Sequence, residues 1–303
     1  MLIRNIRQKI NTIFYNQVAA NVLQTSPVDL ASNSDTVVVS QLYHNALYMS
    51  IVALKTFILN FGKCDLHIIN DGSLTESDLN LLKAHFPNCT IVNFSDINMN
   101  GCPSGGCWER LCYILSINRE KYVIQVDTDT LTTNAIQEVI EAARSNIAFT
   151  IGDPNFMQPM SLESLRKFAE SKNSLLIQHI AEAQLIKIKG LSLNSYIRGC
   201  AAFTGFPQGT DLITRVKTLS TQMENILGDR WLEWGSEQFA SNVMISSCQD
   251  SFVLPWPKYQ NYGYPPHKGS EEEVAVYHFI GSNRHSDSHI TKKTKEWLAI
   301  HSN

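Results

Sequence analysis

Apolar positions follow two rhythms along this chain. Over residues 1–20, Leu2, Ile3, Ile6, Ile10, Ile13 and Phe14 recur at helical spacing. Arg4, Arg7 and Lys9 take the other face with no acidic residue among them, which predicts a basic amphipathic helix. The polar stretch QTSPVDLASNSD at 24–35 reads as a linker. From Thr36 a strand–helix alternation begins. VVVS (37–40), LHIIN (66–70), TIVNF (90–94) and YVIQV (122–126) read as strands, with helices over 45–59, 75–86 and 108–118 between them. Thr75-Glu76-Ser77-Asp78 supplies cap chemistry for the second of these helices. Such alternation predicts an α/β fold with a parallel sheet flanked by helices.

The second half is looser. IAFTI (147–151), CAAFT (200–204), FVL (252–254) and VAVYHF (274–279) read as strands, and helices are expected near 161–183, 210–226 and 235–246. The chain thus divides into residues 1–35, 36–134 and 135–303. Apolar residues make up 44% of the sequence, which excludes a disordered chain. Twenty-five basic against 28 acidic residues leave a net charge of −3, which argues against nucleic acid as partner. The most apolar helix, Ser50 to Phe61, is cut by Lys55 and is too short to span a membrane. No signal-peptide pattern opens the sequence, so a cytoplasmic protein with reduced cysteines is expected. Cys102, Cys107 and Cys112 stand five apart, a spacing that fits no common zinc site.

The sharpest local feature is YVIQVDTDTLTTN at 122–134, where a buried strand runs straight into Asp127-Thr128-Asp129. In open α/β sheets ligands gather beyond the carboxyl ends of the strands. Two carboxylates there repel unless a cation joins them, and Mg²⁺ or Mn²⁺ completing its shell with substrate phosphates is the simplest such cation. A helix-capping Asp in an ordinary turn is the alternative.

The order of motifs around this pair resembles that of the GT-A glycosyltransferases over residues 36–285. VVVSQLYHNALYMSIVALKTF (37–57) is similar to their first strand and helix, and HIINDGS (67–73) to the strand with the base-contacting Asp. WERLCYILSINREKYVIQVDTDTLT (108–132) resembles the Arg-bearing helix leading into the Asp-x-Asp strand. RGCAAFTGF (198–206), SEQFASN (236–242) and HFIGSNR (278–284) resemble later segments, the last being the His-x-x-Gly stretch of many retaining members. Where that pattern continues with a basic residue and Pro-Trp, this chain has Arg284-His285.

The resemblance implies a mostly parallel, mixed sheet in which 36–134 binds a nucleotide-sugar, uridine-based, and 135–303 the acceptor. Asp129, with Asp127 and His278, would hold Mn²⁺ or Mg²⁺. Ser40, Gln41, Asp71, Arg110, Asp127, Gly281 and Arg284 would contact the donor. Glu237 and Asp153 are the candidate catalytic or acceptor-binding carboxylates; Glu237 reads equally as a first-turn residue complementing a helix dipole. Arg110 reads also as one half of a surface ion pair. The aromatic segment WPKYQNYGY (256–264) either stacks on a sugar or covers the core. The acceptor implied is a saccharide or lipid-linked saccharide, as in polysaccharide or lipopolysaccharide synthesis. Residues 1–15 and the TKKTK run at 291–295 then offer contact with an anionic membrane surface, or the helix simply docks on the body of the protein. Two other readings stand beside this one. Asp127-x-Asp129 followed directly by Thr130 also resembles the nucleophile motif of the haloacid-dehalogenase-like phosphatases, with Asp127 as nucleophile, and a GT-A fold can serve as a non-catalytic sugar- or nucleotide-binding protein.

Overall fold

Unbroken apolar runs become buried strands and the helical stretches between them cover the sheet. The structure, a computed structural model, describes residues 2–191, 193–265, 270–281 and 283–302, with side chains from Ile6 onward. Ser282 of the HFIGSNR stretch and the side chains of Leu2, Ile3 and Arg4 therefore lie outside the described residues. The strands are β1 (Thr36–Leu42), β2 (Asp65–Asn70), β3 (Thr90–Asn93), β4 (Tyr122–Val126), β5 (Thr130–Thr132), β6 (Ala148–Ile151), β7 (Cys200–Phe206), β8 (Ser251–Val253), β9 (Tyr259–Asn261) and β10 (Val276–His278). The helices are α1 (Leu2–Ala19), α2 (Leu47–Phe61), α3 (Glu76–His85), α4 (Trp108–Ile117), α5 (Gln137–Arg144), α6 (Leu162–Ser171), α7 (Ile177–Gln184), α8 (Leu212–Leu227), α9 (Ser236–Ser246) and α10 (His289–His301).

Seven strands form one mixed, mostly parallel sheet in the order β3-β2-β1-β4-β7-β6-β8, and β5-β10-β9 form a second, three-stranded sheet. Within the seven-stranded sheet β1 pairs in parallel with β2, and β2 with β3. The reversal comes at β7, which runs antiparallel to β6. The chain divides into two compact units, Met1–Asn93 with Val126–Ile140 and Pro255–Asn303, and Phe94–Gln125 with Glu141–Leu254.

In the first unit, α2 is buried over nearly its whole length, Lys55 included. The Lys55 ammonium survives there because Thr25 Oγ1 and the Ser26 carbonyl each accept from it at 2.6 Å. Those acceptors come from the polar stretch after α1, whose Val28 and Leu30 are buried and whose backbone bonds to His85 and Cys64. The expected cap of α3 is present as a reciprocal box, with Thr75 and Asp78 each bonding the other's backbone. The amphipathic α1 has two different faces: Tyr15, Val18 and Ala19 are buried, whereas Ile6, Ile10, Ile13 and Phe14 are exposed.

In the second unit, Trp108, Trp231 and Phe239 form an edge-to-face aromatic core. The small residues of RGCAAFTGF have a packing reason. A methyl at Gly199 would overlap the Thr150 side chain, and one at Gly205 the Phe149 ring.

Three expectations are corrected. The helix expected over 161–183 is two helices, α6 and α7, because Asn173 takes a left-handed conformation (φ 43°) that an α-helix cannot continue through. WPKYQNYGY is no mere cover, since its Tyr259–Asn261 segment pairs with β10. The TKKTK run lies in α10, where Lys292 and Lys293 pair with Glu271 and Glu296, so most of its charge is met by the protein itself.

Candidate metal and donor site

The site grows out of a turn. After β4, Asp127 begins a tight reversal in which the Thr130 amide and hydroxyl both donate to the Asp127 carbonyl, at 3.2 and 2.8 Å. The chain then enters β5, which runs antiparallel to β10 with Thr130 opposite His278. The Phe279 amide donates to the Asp129 carbonyl at 2.9 Å and closes the ladder. That register carries a histidine from the far end of the sequence to the carboxylate pair. One ligand atom each of Asp127, Asp129 and His278 lies within 4.8 Å of the others.

The imidazole is oriented by its second nitrogen. His278 Nδ1 donates to Asn261 Oδ1 at 2.7 Å, and Asn261 stands opposite His278 on β9. An amide oxygen only accepts, so Nδ1 carries a proton and Nε2 is the nitrogen that faces Asp129 Oδ1, 3.5 Å away. Asn261 went unnoticed in the sequence because a three-residue strand leaves no periodicity; a polar residue inside an aromatic run was its one signal.

Arg284 completes the group. Its Nη2 lies 2.5 Å from Asp129 Oδ2, at the end of a turn in which Asn283 and Arg284 amides donate to the Ile280 carbonyl. Burial opposes the Arg284 charge, but the Asp129 carboxylate and Tyr43 outweigh it, so its pKa is raised above the usual arginine range. Next along the chain, burial and the Arg284 charge hold His285 down to about 4. Two carboxylates, one imidazole nitrogen and one guanidinium thus share a small, largely desolvated volume. Oxygen-rich ligands with one nitrogen suit Mn²⁺ or Mg²⁺.

The remaining predicted donor residues of this unit lie at strand ends or on loops. Ser40 and Gln41 belong to the end of β1, and Ser40 Oγ and Gln41 Oε1 are buried with no hydrogen-bond partner among the described residues. Such orphaned acceptors in a native fold call for a ligand or water. Asp71 follows β2, and its Oδ1 accepts from the Ser73 amide and hydroxyl, a local turn. Gly281 lies in the turn before Arg284.

The second unit holds Arg110, Asp153 and Glu237. Arg110 Nη2 and Glu237 Oε1 are 3.4 Å apart with both side chains buried, so Arg110 is in a buried ion pair rather than a surface one. Burial raises the Glu237 pKa above the usual carboxylate range, against the pull of Arg110. Glu237 stands in the first turn of α9, beside Ser236, which accepts from the Trp108 indole at 2.9 Å. Asp153 caps the short turn at Pro154–Phe156 through the Asn155 amide. Asn242, in the SEQFASN stretch, clamps the Gly199 backbone from both sides.

The strand order and the Asp-x-Asp turn define this architecture as the GT-A fold of glycosyltransferases. Solved structures agree. The chain superposes on the bifunctional glycosyltransferase WbbM with a TM-score of 0.52 at 13% identity, over 91% of this chain and 53% of that one. An active-site mutant of LgtC gives a TM-score of 0.51 at 9% identity, over 87% and 95%. The chain spans about half the length of WbbM. No family model matches the sequence, and no curated protein does. At such identities the likeness establishes the fold alone.

Proposed function

We propose that the protein is a metal-dependent glycosyltransferase that moves a hexose from a nucleotide-sugar, uridine-based, to a saccharide or lipid-linked saccharide. The observation that carries this reading is the convergence of Asp127, Asp129 and the pre-oriented His278 at the end of a GT-A sheet strand. These three residues would hold Mn²⁺ or Mg²⁺, which when bound supplies positive charge to the diphosphate leaving group. WbbM and LgtC are glycosyltransferases by name, which supports the class of reaction though not the substrate.

This chain's own groups then divide the work. Ser40 and Gln41 offer their orphaned oxygens to the nucleoside, with Asp71 at the base. With a divalent ion held by Asp127, Asp129 and His278, the Arg284 guanidinium would be released from Asp129 to pair with a diphosphate oxygen of the donor. Gly281 keeps the turn beside Arg284 free of a side chain. Arg110 neutralises donor charge or holds Glu237 in place. Glu237, with its raised pKa, takes the acceptor hydroxyl's proton, and Asp153 contacts the acceptor. A lipid-linked acceptor would place this reaction at the inner face of a membrane, in polysaccharide or lipopolysaccharide synthesis.

The test is a screen of nucleotide-sugars for Mn²⁺-dependent hydrolysis, with calorimetric binding of UDP and Mn²⁺ beside it. Asp129→Ala should abolish both. Metal-dependent binding without turnover of any donor would instead mark a non-catalytic nucleotide-sugar-binding protein. Trapping a phosphoryl analogue on Asp127 would point instead to the phosphatase.

A further inference from the structure

We infer that the outer face of α1 is a docking surface for an anionic lipid membrane. At about 100° per residue, Ile6, Ile10, Ile13 and Phe14 fall within an arc of about 100° on that helix. They are 50%, 60%, 61% and 46% exposed, the largest group of exposed large apolar side chains on any one helix among the described residues. Arg7 and Lys9 border the arc on its two sides, both exposed. Neither makes an ion pair among the described residues. Lys295 of α10 reaches across, its Nζ 4.5 Å from the Phe14 ring centroid. No acidic residue occurs before Asp29, so nothing on the helix opposes a negative surface.

The opposite face of α1 is already taken. Tyr15 and Val18 are buried, the Tyr15 ring lies 5.2 Å from His285, and Asn11 Nδ2 donates to the His285 carbonyl at 2.9 Å. A helix fixed along one side presents the other as a rigid surface, with apolar wedges between cations. That is the pattern of an interfacial helix lying in the headgroup plane. Docking and membrane contact are thus properties of two faces of one helix. The surface stands apart from the transfer chemistry, so its failure would leave the metal and donor site untouched.

Co-sedimentation of the full chain with phosphatidylcholine vesicles, with and without phosphatidylglycerol, tests it. Binding is expected only with phosphatidylglycerol and should weaken with added salt. Arg7→Gln and Lys9→Gln should each cost about fivefold in vesicle affinity. Ile10→Ser with Ile13→Ser should cost at least about tenfold. Since these side chains are exposed, the melting temperature and UDP–Mn²⁺ binding of each variant should match the parent. Absence of binding to anionic vesicles, or variants that bind like the parent, overturns the inference. So does a dimer by sedimentation analysis that the Ile10→Ser, Ile13→Ser variant splits, because a second copy would then cover the face.

Discussion

Replacing Arg284 with Gln removes the cation that stands 2.5 Å from Asp129 in a poorly solvated pair, the side chains being 20% and 8% exposed. With charge centres about 4 Å apart and an effective dielectric near 20, the attraction is worth about 4 kcal/mol. Breaking a buried pair by removing one partner costs about 3–5 kcal/mol. The partial exposure of Arg284 places the loss at the lower end, about 3 kcal/mol. For 303 residues the unfolding entropy is about 0.6 kcal/mol/K, so Tm should fall by about 5 °C when metal is chelated. A divalent ion on Asp127, Asp129 and His278, as proposed above, would supply the missing positive charge. In saturating Mn²⁺ the deficit should therefore shrink to about 2 °C or less, and Mn²⁺ should raise Tm more in the variant than in the parent. Differential scanning calorimetry in EDTA and in Mn²⁺ reads both numbers. An equal deficit in the two conditions would refute the reasoning, because Arg284 and the metal would then not be alternative counter-charges for one carboxylate.

Glu237→Ala removes the carboxylate facing the buried Arg110 and should destabilise by about 3–5 kcal/mol in chemical denaturation, while Glu237→Gln should cost clearly less. If both unfold like the parent, the pair adds nothing to the fold. His285 is held down to about 4, below its ordinary 6.5, by burial and then by Arg284. The unfolded chain therefore takes up this proton first, and stability should decline as pH falls from about 6.5 towards 4. His285→Asn should flatten that slope, and an unchanged slope would assign it to other groups. Asn261→Leu should leave the His278 ring without its orienting partner and weaken Mn²⁺ binding about 10- to 100-fold, measured by electron paramagnetic resonance. Removing residues up to Ala19 should lower Tm, since Tyr15 and Val18 cover core surface; an unaltered melt would show that the docked face is not needed.

Much of this protein was legible in one dimension. The strands β1, β2, β4 and β7 are apolar runs, and α3 announces itself through the Thr75–Asp78 box. Asp127 and Asp129 were conspicuous because charge directly after a buried strand is costly without a purpose. Local chemistry determined these features: propensity, periodicity and capping act over a few residues. Of the three-stranded sheet only β10 was read, within VAVYHF; β5 and β9 are three residues each and owe their existence to pairing. The same pairing brought His278 to Asp129, Asn261 to His278 and Arg284 to Asp129. Glu237 likewise showed as a first-turn residue, and its buried partnership with Arg110 did not. The fate of α1 was also a tertiary matter. Its sequence specified an amphipathic helix, but only packing against the rest of its unit decided which face would be covered and which left to solvent. Contacts between distant segments depend on how the whole chain closes, and a linear pattern carries the residues of such contacts without their distances.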